Sequence, residues 1–160
     1  MRRALAVAAL VALAACNKST SSALPTAPPG GALMAFRSHV VAVELAVDEA
    51  EWAHGLMDRK TVGADAGMLF LFPAPSGDPF YMYRTLVPLS VAFLKRTTGQ
   101  TYRVQQVIDM TPCRSTDPHQ CQLYQPGAKY DAALEVNRGW FVRNGVHVGS
   151  TGQVGRAPKT

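Results

Sequence analysis

The chain has 160 residues, of which 48% are hydrophobic and 17% are charged, and this length suits one folded domain. Its formal net charge is +5, but the basic residues are scattered and do not alternate with aromatic residues. This distribution argues against a nucleic-acid-binding surface. No stretch of about 20 apolar residues is present, which excludes a polytopic membrane protein.

Residues 1–15 have the pattern of a bacterial lipoprotein signal peptide. Two arginines precede the apolar run Ala4–Leu13, which is too short to cross a bilayer. The small residues that follow, directly before Cys16, resemble a lipobox. The pattern predicts cleavage before Cys16, acylation of Cys16 and attachment to a membrane through that lipid. The alternative is an ordinary secretory signal followed by a chance cysteine. Cleavage leaves 14 basic and 11 acidic residues, a net charge of +3.

The rest of the chain is predicted to contain a linker, one domain and a tail. Residues 16–37 are rich in Ser, Thr, Pro and Gly, which predicts a flexible tether. Residues 38–153 form the predicted single β domain, and residues 154–160 form a polar tail. Asn17 stands where retention at the inner membrane of some Gram-negative bacteria requires Asp. We therefore expect the protein at the periplasmic face of the outer membrane.

Two further cysteines, Cys113 and Cys121, flank a short polar loop. In an oxidising compartment, a disulfide is their expected state. The alternative is a metal site in which Asp117 and His119 join the two cysteines. Their spacing matches no strong zinc pattern, so neither a metal nor a cofactor is predicted.

Short segments of alternating hydrophobicity predict several β-strands. Residues 41–47 and 89–95 alternate in this way, and residues 97–100 form a predicted hairpin turn that leads into a strand at 101–110. Asp48 and its capping-box partner Glu51, three residues later, predict the start of a short helix. The remaining predicted elements are strands at 67–72 (ended by Pro73 and Pro75), 80–84, 130–136 and 146–148, and a helical turn at 139–144.

This pattern predicts a mainly β fold. Short strands separated by turns, without β-α-β alternation, are typical of an antiparallel β-sandwich or a jelly-roll-like small barrel, here with one or two short helices.

Five motifs in a fixed order resemble the bacterial and archaeal family called domain of unknown function 192. The motifs are Glu51–Arg59 (EWAHGLMDR), Gly67–Phe72 (GMLFLF), Phe80–Phe93 (FYMYRTLVPLSVAF), Pro112-Cys113 and Leu134–Gly139 (LEVNRG). The resemblance extends over about residues 40–150. It implies a compact β fold with short helices, and it implies no assigned activity.

The chain departs from the family pattern at several polar positions. The family usually has Arg where His54 stands, and Lys-Asn where Tyr83 and Arg84 stand. It often has Asp at the positions of Ser90 and Ser150. If those polar residues form a shared active site, this chain lacks much of it, and catalysis becomes a weaker expectation.

An aromatic and polar segment is the strongest candidate for a ligand site. Its residues are Tyr81, Tyr83, Arg84 and Thr85, with Glu135 expected nearby. An arginine offers a rigid fork of donors to carboxylates or phosphates, and the aromatic rings offer stacking surfaces. The structural alternative is that the aromatic residues pack in the core while Arg84 pairs with Glu135 or Asp109.

Two other chemistries are alternatives to ligand binding: hydrolysis by paired carboxylates and Cu(I) binding. Asp109 and Glu135 are weak candidates for the paired carboxylates of a hydrolase, because an ion pair or a backbone hydrogen bond explains Glu135 better. A Cu(I) site would use His54 and nearby thioethers, although methionines also fill apolar gaps in cores. The methionines in question are Met57, Met68, Met82 and Met110.

We therefore favour a binding or accessory module of the cell envelope for a small polar or carbohydrate-like ligand over an enzyme. The alternatives are the hydrolase and a structural envelope protein that binds a protein partner. No nucleic-acid partner is expected.

Overall fold

The computed structural model describes residues 24–37 and 39–155. Within them the chain forms seven strands, two short α-helices and one 3-10 turn. The elements are β1 (Ala32–Phe36), β2 (His39–Ala46), α1 (Glu49–His54), β3 (Ala66–Ser76), β4 (Leu89–Thr98), β5 (Thr101–Met110), the 3-10 turn Pro118–Gln120, β6 (Tyr130–Asn137), α2 (Trp140–Arg143) and β7 (Thr151–Gly155). The predicted signal peptide, the lipidation site Cys16 and most of the predicted tail lie outside the described residues.

The strands close into a barrel in the order β1-β2-β3-β6-β4-β5-β7. This confirms a mainly β fold and a small barrel with two short helices; the sandwich and jelly-roll forms are not confirmed. One pair departs from the predicted antiparallel arrangement, because β2 and β3 run parallel. Residues 47–65, which include α1, connect them, and a connection of that length is what a parallel pair requires.

Alternation along the strands divides the apolar side chains into two cores. Side chains such as Leu134 and Val136 of β6 pack inside the barrel together with Trp140 of α2. The opposite face of the same sheet carries a second core, which we call the outer core. Its buried members include three of the four methionines considered for Cu(I), Met68, Met82 and Met110. These three thioethers therefore lie in apolar packing, which is the alternative to a Cu(I) site.

The local signals at α1 and at the β4–β5 hairpin are confirmed. A side-chain oxygen of Asp48 accepts a hydrogen bond from the backbone N–H of Glu51 at 2.9 Å, which is the N-cap half of the predicted capping box. The Glu51 carboxylate accepts from the backbone N–H of Val47 at 2.7 Å and not from that of Asp48, so the reciprocal half is displaced by one residue. Gly99 has a φ of 52° in the tight turn between β4 and β5. Both features depend on residues close together in the chain.

Three strand predictions are corrected. Residues 80–84 form no strand beyond a single bridge from Phe80 to Tyr124, because the chain turns at Met82–Thr85. β3 continues through both of its prolines to Ser76, since the pairing with β6 is interrupted between Leu71 and Ser76 and the prolines need no ladder partner there. The last strand lies at 151–155 and not at 146–148.

The folded part also begins earlier than the predicted boundary. β1 occupies Ala32–Phe36, inside the segment that the sequence assigned to the linker. It closes the barrel by pairing with β2 on one side and β7 on the other.

Cys113 and Cys121 form a disulfide, as predicted. Because both sulfurs form that bond, neither is a thiolate that could bind a metal together with Asp117 and His119. The bonded loop lies over the outer core, where the backbone N–H of Cys113 donates to the carbonyl of Met82 at 3.1 Å. Across residues 24–37 and 39–155, no helix has the length and apolarity needed to span a membrane.

Candidate functional site

A pocket of about 300 Å³ opens beside the outer core. It lies between α1, β3, β6 and the segment 78–85, so four separate parts of the chain contribute to it. Six of its fifteen lining residues are aromatic. The aromatic lining residues are Trp52, Phe70, Phe72, Phe80, Tyr81 and Tyr130.

The aromatic walls are held by packing and by hydrogen bonds. Phe70 and Phe80 meet edge to face with ring centroids 5.1 Å apart, and Phe72 and Tyr130 meet in the same way at 5.3 Å. The hydroxyl of Tyr130 donates to the carbonyl of Asp78 at 2.7 Å. These contacts fix the rings, so the pocket is formed before any ligand arrives.

Glu135 is the buried acid of this pocket. It lies on β6 opposite Met68 of β3 and Val91 of β4, so its immediate neighbours in the sheet are apolar. Only 5% of the residue is exposed, and within the described part of the chain its carboxyl group has no hydrogen-bond or ion-pair partner. Burial raises the pKa of Glu135 to about 8, because a desolvated carboxylate is costly.

Gly55 makes room beside this carboxyl group. It ends α1 with a φ of 49°, a left-handed conformation that suits glycine. A β-carbon at this position would lie 3.3 Å from Phe70 Cζ and 3.9 Å from Glu135 Oε2. The turn therefore brings bare backbone to the pocket wall next to the acid.

The predicted ligand residues divide into two groups. Tyr81, Thr85 and Glu135 line the pocket, whereas Tyr83 and Arg84 do not. The hydroxyl of Tyr83 donates to the carbonyl of Thr116 at 3.3 Å. These two residues thus belong to the surface beside the pocket.

Arg84 forms an ion pair with Asp58, and not with the Glu135 or Asp109 considered above. Both partners have a positive φ, 52° for Arg84 and 60° for Asp58, and the backbone N–H of Asp58 donates to the carbonyl of Arg84 at 2.8 Å. Asparagine, which the family pattern usually has at position 84, tolerates this conformation well. The pair joins two segments that both line the pocket.

Asp109 does not share a site with Glu135. Ser90 pairs with Asp109 on one side and Val136 on the other, whereas Glu135 pairs with Val91, the next residue along β4. The side chains of Asp109 and Glu135 therefore project from opposite faces of the sheet. Asp109 accepts a hydrogen bond from the hydroxyl of Ser90 at 2.5 Å. This is not the facing pair of carboxylates that a glycosidase needs.

A second depression of about 890 Å³ lies near His39 and His147. The burial of polar side chains distinguishes this depression from the pocket beside the outer core. Among the described residues, the buried polar or charged side chains are Thr85, Ser90 and Glu135, and two of these three line the smaller pocket. We therefore assign the candidate site to the smaller pocket.

Sequence reasoning did not assign several pocket residues to a site. Phe72 and Tyr130 were predicted only as strand residues, and Trp52 was assigned no role in a site. His54, named above as a departure from the family pattern and as a ligand of the alternative Cu(I) site, lines the pocket as well. The one local signal was the sequence Trp-Ala-His-Gly, which places an aromatic ring, an imidazole and a turn-forming glycine within one helical turn.

Two solved structures resemble this fold. A protein described as a candidate transcription regulator from Sinorhizobium meliloti 1021 has a TM-score of 0.63 and 26% identity, covering 78% of this chain and 91% of that one. A protein of unknown function from Novosphingobium aromaticivorans DSM 12444 has a TM-score of 0.64 and 28% identity, covering 84% of this chain and 94% of that one. No curated protein matches the chain.

The family model DUF192, described as "Uncharacterized ACR", matches residues 32–154. The match extends from the first residue of β1 into β7, so it includes the whole barrel and the pocket. The chain therefore belongs to the DUF192 family.

Proposed function

We propose that this protein is a small-molecule binding module of the bacterial cell envelope, anchored through lipid on Cys16 at the periplasmic face of the outer membrane. The observation that carries the binding proposal is Glu135, a buried acid that lines an aromatic pocket and has no hydrogen-bond or ion-pair partner among the described residues. A buried polar group left without a hydrogen bond costs stability, and such groups are retained where they have a role in binding or catalysis.

The size and lining of the pocket support a small ligand. Its volume of about 300 Å³ falls at the lower end of the range for small-molecule sites. Aromatic walls with a few convergent polar groups are the usual composition of such sites. The polar side chains that line this pocket include those of Glu135, Thr85, Tyr81, Tyr130, His54 and Asp78.

Blocking the pocket tests the binding function. Ala53 and Ala50 are both exposed on α1, but only Ala53 lines the pocket. We expect a small molecule to co-purify with the wild-type protein from its native envelope, to be lost from Ala53→Trp and to persist in Ala50→Trp. Native mass spectrometry measures the bound mass. Equal occupancy in both variants, or no small molecule in any of the proteins, would refute a binding role for this pocket.

The proposed location rests on the signal-peptide pattern and is supported by the disulfide, which suits an oxidising compartment. We expect cells fed radioactive palmitate to label the wild-type protein and to leave Cys16→Ser unlabelled. After separation of the two membranes, the labelled protein should lie in the outer-membrane fraction. Recovery of unlabelled wild-type protein in the soluble periplasmic fraction would contradict the anchor.

A further inference from the structure

We propose that the pocket binds an organic cation, an amine or a quaternary ammonium group, whose charge is met by the carboxylate of Glu135 and whose carbon atoms pack on the aromatic walls. This inference rests on the proposed binding function and names its ligand class. Three properties of the pocket lead to it: its charge, its aromatic walls and the missing partner of its buried acid.

The ionisable groups around the pocket favour a positive ligand. Its lining contains the acids Glu135 and Asp78 and the imidazole of His54. Among the described residues, no Lys or Arg lines it. The chain as a whole carries a net charge of +5, so the acidity is local to this site. An anionic ligand would meet two carboxyl groups and no fixed cation, whereas a cation would meet two groups that can carry negative charge.

The aromatic walls add a second attraction for a cation. The face of an aromatic ring carries partial negative charge, and Trp is the strongest of the three rings in this interaction. Trp52 packs on Phe72 with centroids 5.1 Å apart, which keeps an indole at the pocket wall. Several rings around one carboxyl group form the arrangement that recognises ammonium groups.

The missing partner of Glu135 is the third property. Burying a carboxylate without a partner is costly, and the residue avoids that cost by retaining its proton. A bound ammonium group would supply the absent partner and stabilise the ionised form. Binding should therefore release a proton, and because the pKa of the free carboxyl is about 8, the apparent affinity should rise about tenfold per pH unit up to that value.

Other titratable groups face the same space and must be separated from Glu135. From α1, the segment 78–81 and β6 they are His54, Asp78, Tyr81 and Tyr130, whereas β3 and β4 contribute apolar side chains. Any pH dependence that persists in Glu135→Gln therefore belongs to these other groups.

Calorimetric titration with choline and with its uncharged carbon isostere, dimethylbutanol, tests the proposal. At pH 8 we expect wild-type protein to bind choline at least tenfold more tightly than dimethylbutanol. Titrations at pH 7 in two buffers with different ionisation enthalpies should show release of close to one proton per choline. Glu135→Gln should lose at least tenfold in choline affinity and lose the proton release, while its affinity for dimethylbutanol stays unchanged.

Two control variants make the test decisive. Glu49→Gln removes the same charge from an exposed position outside the pocket and should bind choline as the wild type does. Ala53→Trp should block both probes. Near-ultraviolet circular dichroism establishes that each variant is folded.

The cation assignment is overturned if folded wild-type protein binds both probes equally, does not bind choline, or binds choline as tightly as Glu135→Gln does. Each of these results leaves the proposed binding function standing, because that function is judged by the co-purified molecule and its loss from Ala53→Trp.

Discussion

Replacing Glu135 with Gln is expected to raise the free energy of unfolding by about 3 kcal/mol at pH 7. The pKa of Glu135 is raised from 4.5 to about 8 in the folded protein. At pH 7 the unfolded chain has released this proton while the folded protein retains it, so folding must first take up a proton. Gln is uncharged in both states and avoids this cost. Urea denaturation of the purified protein measures the difference.

The pH dependence identifies the cause. Below about pH 4 the carboxyl is protonated in both states, so the two proteins should be nearly equally stable. As pH rises from 4.5 towards 8 the wild type loses stability relative to Glu135→Gln, and above the folded-state pKa the difference levels off. Glu49→Gln should show no such trend. A stability difference that is constant from pH 4 to pH 9 would contradict a buried, partnerless carboxyl.

Local signals predicted several elements well. The N-cap at Asp48 and the turn at Gly99 depend on neighbouring residues, and both occur as expected. β5 also has its predicted bounds, because its alternation and the preceding turn agree. In these elements the local sequence preference agrees with the final fold, so tertiary contacts do not alter them.

Elements that depend on barrel closure were harder to predict. β1 is a five-residue strand next to a Pro- and Gly-rich segment. It is stabilised by pairing with β2, which follows it directly, and with β7, the last strand of the chain. The parallel pairing of β2 with β3 likewise follows from closure and not from periodicity. The aromatic content of residues 80–84 favours a strand, yet Arg84 adopts a left-handed turn that the ion pair with Asp58 supports.

The candidate site was predicted only in part. The aromatic and polar character of residues 81–85 was visible in the sequence, and Tyr81, Thr85 and Glu135 line one pocket. The sequence did not indicate that Trp52 and Phe72 would stand beside them, because the walls are assembled from four parts of the chain. Register alone decided that Asp109 would project from the other face, and a one-residue shift would have reversed that result.

Gly67→Ala is expected to destabilise the protein by about 3 kcal/mol or more. Gly67 of β3 lies between Val43 of β2 and Val136 of β6, in the wall of the barrel. A β-carbon here would overlap the backbone carbonyl oxygen of Glu135 and lie 2.9 Å from Val136 Cγ1. Backbone cannot move aside as a flexible side chain can, so β3 and β6 must separate. Thermal and urea unfolding measure the loss.

Gly77→Ala provides the matched control. Gly77 is exposed, and a β-carbon there would meet nothing within 4 Å. Alanine reduces the freedom of the unfolded chain, so this variant should be unchanged or more stable by up to about 1 kcal/mol. Glu135 lies on β6, and Gly67→Ala would push β6 away from β3. That variant should therefore also weaken the pH dependence of stability described above. If Gly67→Ala were as stable as Gly77→Ala, the close contact between β3 and β6 at Gly67 would be wrong.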